Sequence, residues 1–215
     1  MAIGQYGKME ELYGRKKKLL KRKINKVVFN SFPRSGNVYQ AGVSHNFFNI
    51  DISTAHMPEI FSVKEIGNVT IFRKPDEAIS SLIMKQSRPE SNMNKEEIEQ
   101  NVLKHLSLYK EYIDYARTNS NIIYIGRFES LINDTVKHFE DISNYFNIDM
   151  SLNYKDNFLN AKLSGRLWDD RYDGHMPRPK DSVRLNIEEQ VSSMSSIKDL
   201  NQDYEEFLYQ YSTTV

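Results

Sequence analysis

Two segments of the chain combine basic and hydroxyl residues in patterns that suit anion binding. The first is Ser31-Phe-Pro-Arg-Ser-Gly-Asn37, and the second is Arg73-Lys-Pro-Asp-Glu-Ala-Ile-Ser-Ser81. Each contains an arginine, whose forked N–H donors match phosphate oxygens, and a serine, whose hydroxyl can donate to the same group. The sequence therefore predicts two anion sites.

The first segment is predicted to be a turn between a strand and a helix. It follows the apolar run Val27-Val28-Phe29 and precedes a helical pattern over 38–48. Gly36 permits a tight turn, and the unpaired N–H groups of the new helix would point at a bound anion. The second segment repeats this arrangement after a strand pattern over 69–72, because Pro75 suits a first helical turn.

The rest of the chain also alternates between strand and helix patterns. Short apolar runs predict strands over 50–53 and 122–125. Apolar residues at helical spacing predict helices over 94–118 and 129–146, and a last helix is expected near 187–211. We therefore predict an α/β fold of three layers, with a central parallel sheet flanked by helices.

Three residues that follow predicted strands should meet in one cleft. They are Arg34, His56 and Arg73. In a parallel sheet the carboxyl ends of the strands open onto one edge, and ligands bind in the crevice there. Residues that are distant in the sequence are thus expected to form a single site.

Composition narrows the class of protein without identifying its function. The chain has 215 residues, which is enough for one domain over 1–215 and too few for two large ones. Its 29 basic and 29 acidic residues leave no net charge to attract nucleic acid. The absence of cysteine excludes disulfides, thiolate nucleophiles and cysteine-bound metals. Because no stretch resembles a membrane span or a signal peptide, we expect a cytoplasmic protein.

Although the net charge is zero, the chain contains one basic block, Arg15-Lys-Lys-Lys-Leu-Leu-Lys-Arg-Lys23. Closely spaced cations beside two leucines can attract a membrane surface or nucleic acid. The alternative is a solvated helix within a basic lead-in over 1–26, and the acids Glu10 and Glu11 favour it. We expect the solvated helix.

The two anion segments resemble motifs of the sulfotransferases that use 3′-phosphoadenosine 5′-phosphosulfate (PAPS). Phe32-Pro-Arg-Ser-Gly-Asn-Val-Tyr39 is similar to their 5′-phosphosulfate loop, Y-P-K/R-S-G-T-T-W. The stretch from Arg73 to Ser81 is similar to their 3′-phosphate motif, R-x-P-x-D-x-x-x-S. Between them, Thr54-Ala-His-Met-Pro58 resembles the T-H-L-P segment that carries the family's catalytic base. Downstream, 122–146 is similar to a strand, a Y-E-D-L motif and a helix of the family.

This resemblance covers roughly residues 27–150 and implies a P-loop-like fold of a compact bacterial or viral type. The implied function is transfer of a sulfuryl group from PAPS to a hydroxyl or amine, leaving 3′-phosphoadenosine 5′-phosphate (PAP), with no metal required. The acceptors of the family are small molecules, carbohydrates or peptides. The sequence does not specify the acceptor of this protein, although its compactness favours an open cleft and a larger, carbohydrate-like one.

The resemblance also implies a role for each matching residue. His56 is the implied general base, and Arg34 stabilises charge on the departing phosphate. Outside this context, a lone histidine would be interpreted as a structural hydrogen-bonding residue. Arg73 and Ser81 would hold the 3′-phosphate. The implied nucleotide-binding residues of the first loop are Pro33, Arg34, Ser35, Gly36, Asn37, Val38 and Tyr39.

A long polar stretch over 164–182 lacks periodicity and carries several basic residues. Loops of that length inside a compact domain are usually functional or disordered. Members of the family place a basic C-terminal loop over the 3′-phosphate. We therefore expect Arg178 and Lys180, which follow prolines, to bind the nucleotide.

The first loop departs from the family pattern after its glycine. Asn37 and Val38 stand where two threonines are usual, so Asn37 keeps a side-chain donor and Val38 offers only its backbone N–H. Tyr39 stands where tryptophan is frequent, and its ring can stack on adenine or pack in the core. These departures leave open a binding protein that has kept the nucleotide site without catalysis.

A P-loop kinase or NTPase is a further, less favoured alternative. Its Walker A motif, G-x-x-x-x-G-K-[ST], needs a lysine for the terminal phosphates and a hydroxyl for Mg²⁺. The segment from Ser31 to Val38 does not fit this motif. Binding of PAP against ATP would distinguish these interpretations.

Overall fold

A computed structural model of the protein describes residues 24–86, 93–164 and 182–213. The basic block over 15–23 and the expected nucleotide-binding residues Arg178 and Lys180 lie outside this part of the chain. Among the residues described, no helix has both the length and the apolar character needed to cross a membrane.

Strands and helices alternate along the chain, as the apolar patterns predict. The strands are β1 (Lys26–Asn30), β2 (Asp51–Ala55), β3 (Gly67–Phe72) and β4 (Ile123–Arg127). The α-helices in the described residues are α1 (Asn37–Ser44), α2 (Pro75–Gln86), α3 (Lys95–Thr118), α4 (Phe128–Asn133), α5 (Thr135–Phe146), α6 (Tyr154–Leu163), α7 (Ser182–Ser193) and α8 (Ser195–Tyr211). A 3₁₀ helix follows β2 over Pro58–Ser62.

The four strands form one parallel sheet in the order β2-β1-β3-β4. Asn30 pairs with Ala55 in its register, so β1 and β2 end side by side. The strand order reverses at β1, because β2 lies on one side of it and β3 on the other. Ligands of open α/β sheets bind beyond the carboxyl ends of the strands at such a reversal. The topology therefore favours a site at the loop that follows β1.

Apolar side chains cover both faces of this sheet and form two core clusters. Ile123 and Ile125 of β4 belong to one cluster and Tyr124 to the other, since successive residues of a strand point to opposite faces. Helices α2, α3, α7 and α8 pack in the first cluster, and α1 and α5 pack in the second. The prediction of a three-layer α/β fold with a central parallel sheet is confirmed.

Two predicted helices are each divided in the structure. The pattern over 129–146 forms α4 and α5, because the side chain of Asp134 accepts a hydrogen bond from the Lys137 N–H and caps α5. The helix expected near 187–211 is divided into α7 and α8, which are separated at Met194 by an extended backbone conformation. Apolar periodicity continues across both breaks, so periodicity alone predicts single helices.

The structure differs from the sequence-based predictions at two further helices. The pattern over 38–48 gives a helix that ends at Ser44, whose hydroxyl donates to the Ala41 carbonyl in the last turn. Helix α6 is absent from the predictions, because Phe158 is its one buried residue and the helix has no apolar stripe.

Candidate functional site

The loop after β1 has the backbone of a tight turn. The Ser35 N–H donates to the Phe32 carbonyl at 3.1 Å, and Arg34 and Gly36 have positive φ angles of 71° and 96°. A side chain with a Cβ rarely adopts that conformation, so Arg34 is held there by its surroundings. Helix α1 begins at Asn37, directly after Gly36. Its first N–H groups are the kind of donors that bind anions at helix N-termini.

Gly36 is required by space as well as by backbone conformation. A Cβ at this position would lie 3.2 Å from the Phe128 ring and 3.3 Å from side-chain carbons of Ile71 and Leu131. Any larger residue would therefore push the loop away from β3 and α4. The close packing fixes the position of the turn over the edge of the sheet.

Ser31 connects three parts of the site. Its hydroxyl accepts a hydrogen bond from the Ile71 N–H in β3 at 2.9 Å. Its carbonyl accepts one from the Asn37 side-chain amide at 3.1 Å and lies 3.0 Å from Nδ1 of His56. The first anion segment, β3 and the residue after β2 thus meet at Ser31. The sequence places Ser31 in the first anion segment but does not reveal this role.

His56 follows the end of β2, as predicted, and its ring lies against the first loop. Nδ1 is 3.0 Å from the Ser31 carbonyl and 3.3 Å from the amide nitrogen of Asn37. The residue is exposed to solvent. A general base must reach the proton of a bound acceptor, and this exposure is compatible with that role.

Arg34 and Ser81 join the two anion segments. The Nε–H of Arg34 donates to the hydroxyl oxygen of Ser81 at 3.2 Å, across 47 positions of sequence. Ser81 is buried in α2, and its hydroxyl keeps a hydrogen that it can donate to another group. The two segments, predicted separately, therefore belong to one site.

Arg73 follows β3 and is oriented by three neighbours. Its Nε and Nη2 atoms donate to one carboxylate oxygen of Glu77 at 3.0 and 2.9 Å. Its guanidinium carbon lies 4.9 Å from the centroid of the Phe128 ring, and its carbonyl accepts from the Tyr109 hydroxyl at 2.5 Å. A ligand anion would therefore share Arg73 with Glu77.

Phe128 touches both anion segments but is absent from the predicted site. Its ring lies beside Gly36 and also against the guanidinium of Arg73. It is the first residue of α4, directly after β4, within the stretch that resembles the Y-E-D-L region. Its position after a strand was the signal that it lies at the same edge of the sheet.

Ser35 has a buried hydroxyl at the centre of the loop. The residue is fully buried, and its Oγ has no hydrogen-bond partner among the residues that the structure describes. A buried hydroxyl without a partner is unfavourable by about 1–3 kcal/mol, and a ligand atom that bonds to it would recover part of this free energy. This observation supports the prediction that Ser35 contacts a ligand.

The other predicted loop residues differ in their surroundings. The hydroxyls of Tyr39 and Thr135 lie 3.2 Å apart, and Tyr39 also packs against the second core cluster. Burial raises the pKa of the Tyr39 hydroxyl, so the group stays neutral at physiological pH. Pro33 and Val38 are half-buried on the loop. The side chain of Asn37 is directed at the ends of β1 and β2.

A metal site does not emerge from the described ranges, in which no group of three or more histidine, aspartate or glutamate residues is placed to hold an ion.

Comparisons with known proteins find a distant structural likeness. No protein-family model matches the sequence, and no curated protein matches it. Among solved structures, the chain is similar to the crystal structure of mouse sulfotransferase SULT7A1 complexed with PAP, at a TM-score of 0.49 and 12% sequence identity. The match covers 92% of this chain and 89% of that chain. Such a likeness assigns no role to any residue here, and the expected bacterial or viral type stays a prediction.

Proposed function

We propose that this protein is a sulfotransferase that moves a sulfuryl group from PAPS to a hydroxyl or amine acceptor. The observation that supports the proposal is the hydrogen bond between Arg34 and Ser81, which joins the two segments predicted to bind anions. PAPS has anionic groups at two separate positions, and a site with two cationic segments suits it. A nucleotide with phosphates only at the 5′ position would leave one segment without a ligand.

The two ends of the nucleotide are assigned to different parts of the site. The N–H groups at the start of α1, together with Arg34 and Ser35, would bind the 5′-phosphosulfate. Arg73 and Ser81 would bind the 3′-phosphate, with Arg178 and Lys180 as further candidates from sequence. Pro33, Gly36, Val38, Tyr39 and the backbone of Asn37 would shape the loop around the nucleotide.

The proposed reaction is an in-line displacement at sulfur. The acceptor oxygen or nitrogen forms a bond to sulfur while the bond between sulfur and the phosphate oxygen breaks. His56 takes the proton of the acceptor, and PAP leaves with the bonding electrons on its phosphate oxygen. Arg34 and the loop N–H groups stabilise the charge that develops on that oxygen.

One observation favours a second candidate, a protein that binds the nucleotide without catalysis. The amide of Asn37 donates to two carbonyls of the protein, so it does not supply the ligand-directed donor expected from a loop threonine. A loop with fewer side-chain donors would bind PAP but stabilise the transition state less. Turnover therefore has to be measured separately from affinity.

Calorimetric titration of the purified protein tests the binding part of the proposal. PAP should bind without Mg²⁺ and at least tenfold more tightly than adenosine 5′-phosphate, about 1.4 kcal/mol in binding free energy. Equal affinity for the two nucleotides would remove the assigned role of Arg73 and Ser81. Tighter, Mg²⁺-dependent binding of ATP would favour a P-loop kinase instead.

Transfer of sulfate from PAPS to a panel of hydroxyl and amine acceptors tests the catalytic part. His56→Ala should lower turnover by about 10²-fold, the usual contribution of a general base, with PAP affinity nearly unchanged. Full activity of this variant would show that another group is the base. Binding of PAP by the wild type without any transfer would support the binding protein.

A further inference from the structure

We propose that Asn37 is a positioning residue that holds the His56 imidazole with its proton on Nδ1 and its lone pair on Nε2. This inference rests on the proposed function, in which His56 is the base. It goes beyond the predicted role of Asn37 in nucleotide binding, because it gives the side chain a different task. The basis is a count of hydrogen-bond donors and acceptors where β1 and β2 end.

The amide of Asn37 makes more contacts than it has hydrogens. Its nitrogen lies 3.1 Å from the Ser31 carbonyl, 2.9 Å from the Ala55 carbonyl and 3.3 Å from Nδ1 of His56. A primary amide has two N–H donors, and carbonyl oxygens can only accept. The two carbonyl oxygens are nearer to the amide nitrogen than Nδ1 of His56 is, so they accept both hydrogens and the longer contact is left without one.

The Ser31 carbonyl determines which nitrogen of His56 carries the proton. Nδ1 lies 3.0 Å from this oxygen, which has no hydrogen to donate. The contact is a hydrogen bond only when Nδ1 is protonated, and a neutral imidazole has one N–H. The lone pair then lies on Nε2, which is the atom that would take the proton of the acceptor.

The orientation of the Asn37 amide is enforced by its surroundings. Turning the amide over would place its oxygen against two carbonyl oxygens and would break both hydrogen bonds. The side chain is buried, and within the described residues its Oδ1 has no hydrogen-bond partner. The orientation that leaves this oxygen unpaired in the described structure is the one that lets both N–H groups donate to the carbonyls at the strand ends.

A second buried asparagine holds the other side of His56. Asn30 donates to the Met57 carbonyl at 2.7 Å and accepts from the Met57 N–H at 3.1 Å. Asn37 holds the Ala55 carbonyl, so the peptide groups before and after His56 are both fixed. The ring can then turn only about its own side-chain bonds, and the Ser31 carbonyl selects one orientation.

The threonine usual at this position in the family motif could not do the same. A hydroxyl has one hydrogen, so it could bond to either the Ser31 or the Ala55 carbonyl but not to both. Replacing Asn37 by Thr and by Ala therefore gives a graded series of two, one and no donors. The imidazole of His56 should respond in that order.

Nitrogen-15 NMR of the histidine rings in the free protein reads the tautomer without any need for activity. The His56→Gln variant identifies the signals. In the wild type, the neutral ring should show a protonated Nδ1 and a bare Nε2. In Asn37→Ala, part of the population should move its proton to Nε2, and turnover should fall by about tenfold or more while PAP affinity changes less than about twofold. Asn37→Thr should lie between the two.

Asn68 offers a matched control elsewhere in the fold. It is also buried, its amide donates to the Ile60 and Val63 carbonyls at 3.0 and 3.2 Å, and its Oδ1 also lacks a partner among the described residues. Asn68→Ala removes the same kind of hydrogen bonds. It should lower stability but leave the His56 signals and the pH profile of turnover unchanged.

Two results would overturn the inference: a wild-type His56 with its proton on Nε2, or a folded Asn37→Ala protein with unchanged His56 signals. If Asn37→Ala does not fold, the tautomer of His56 in the wild type and in Asn37→Thr still tests the inference. The wild type could show the expected tautomer, and the variants its loss, while the wild type neither binds PAP nor transfers sulfate. That result would support the inference and overturn the proposed function.

Discussion

Arg34 donates a hydrogen bond to Ser81, so a residue of the turn after β1 touches a residue in the interior of α2. The contact leaves the Ser81 hydroxyl free to donate its own hydrogen to a ligand. Since each residue orients the other, their contributions to nucleotide binding should be coupled rather than independent.

A double-mutant cycle measures this coupling. Arg34→Ala and Ser81→Ala should each weaken PAP binding, and the double variant should lose less than their sum by about 1 kcal/mol. Calorimetric titration gives all four affinities. Ser80→Ala is the control, because the neighbouring hydroxyl is also buried but donates to the Glu77 carbonyl. Additive losses would show that the contact is absent when the nucleotide is bound.

Ser35 should matter for the ligand more than for the fold. Since its buried hydroxyl has no partner in the described structure, Ser35→Ala should leave the free energy of unfolding unchanged or slightly higher. PAP affinity should fall by about fivefold, or about 1 kcal/mol. Chemical denaturation and titration measure the two effects.

The control for Ser35 is Ser44→Ala, which removes a buried hydroxyl that already donates to the Ala41 carbonyl at 2.7 Å. That variant should lose about 1 kcal/mol of stability and keep its PAP affinity. The assignment of Ser35 to the ligand fails if Ser35→Ala behaves in the same way.

Glu77 should compete with the nucleotide for Arg73. One oxygen of its carboxylate accepts hydrogen bonds from Nε and Nη2 of Arg73. Glu77→Gln should therefore tighten PAP binding severalfold, whereas Arg73→Ala should weaken it by about 2 kcal/mol. Asp76→Asn removes a charge one position away, where the carboxylate pairs with Lys74 instead. A larger gain for Glu77→Gln than for Asp76→Asn would identify the direct contact. Weaker binding in Glu77→Gln would mean that Glu77 holds Arg73 in place for the ligand.

His138 should make the protein sensitive to acid. It is buried beside Gln40, with Nε2 2.9 Å from Oε1, and burial lowers its pKa from 6.5 to about 3. Below pH 6.5 the imidazole is protonated in the unfolded chain, whereas in the folded protein it stays neutral. The stability that is present above pH 6.5 is therefore lost as the pH falls toward 3. Between pH 6.5 and pH 5 the loss should approach about 2 kcal/mol.

Urea denaturation at several pH values tests this effect. His138→Gln should show a smaller loss of stability between pH 6.5 and pH 5 than the wild type, because glutamine takes up no proton. His45→Gln alters an exposed histidine and should keep the pH dependence of the wild type. An unchanged slope in His138→Gln would show that other groups cause the loss.

The sequence predicts the strands and the convergence of the anion segments well, for a physical reason. Buried parallel strands are short apolar runs, and the residue after each run must lie at the carboxyl edge. Arg34, His56 and Arg73 could be located in this way from sequence alone. The breaks at Asp134 and Met194 could not, because the apolar periodicity continues across them.

The side-chain contacts within the site could not be predicted from the sequence. Strand register and packing determine three of these contacts. The Asn37 amide donates to the Ala55 carbonyl, Arg73 donates to Glu77, and Phe128 contacts both segments. Residue type restricts which hydrogen bonds a side chain can make but does not select its partner. Only the arrangement of the strand ends decides that choice.

His56 stands at the end of β2, the outermost strand of the described sheet on that side, whereas the first anion segment follows the central strand β1. The part of the site proposed to bind the nucleotide thus follows the centre of the sheet, and the part proposed to bind the acceptor follows its margin. Substitutions at exposed residues beside His56, such as Met57, can therefore alter the proposed acceptor surface without repacking either core cluster, whereas Phe61 of the following 3₁₀ helix belongs to the first cluster.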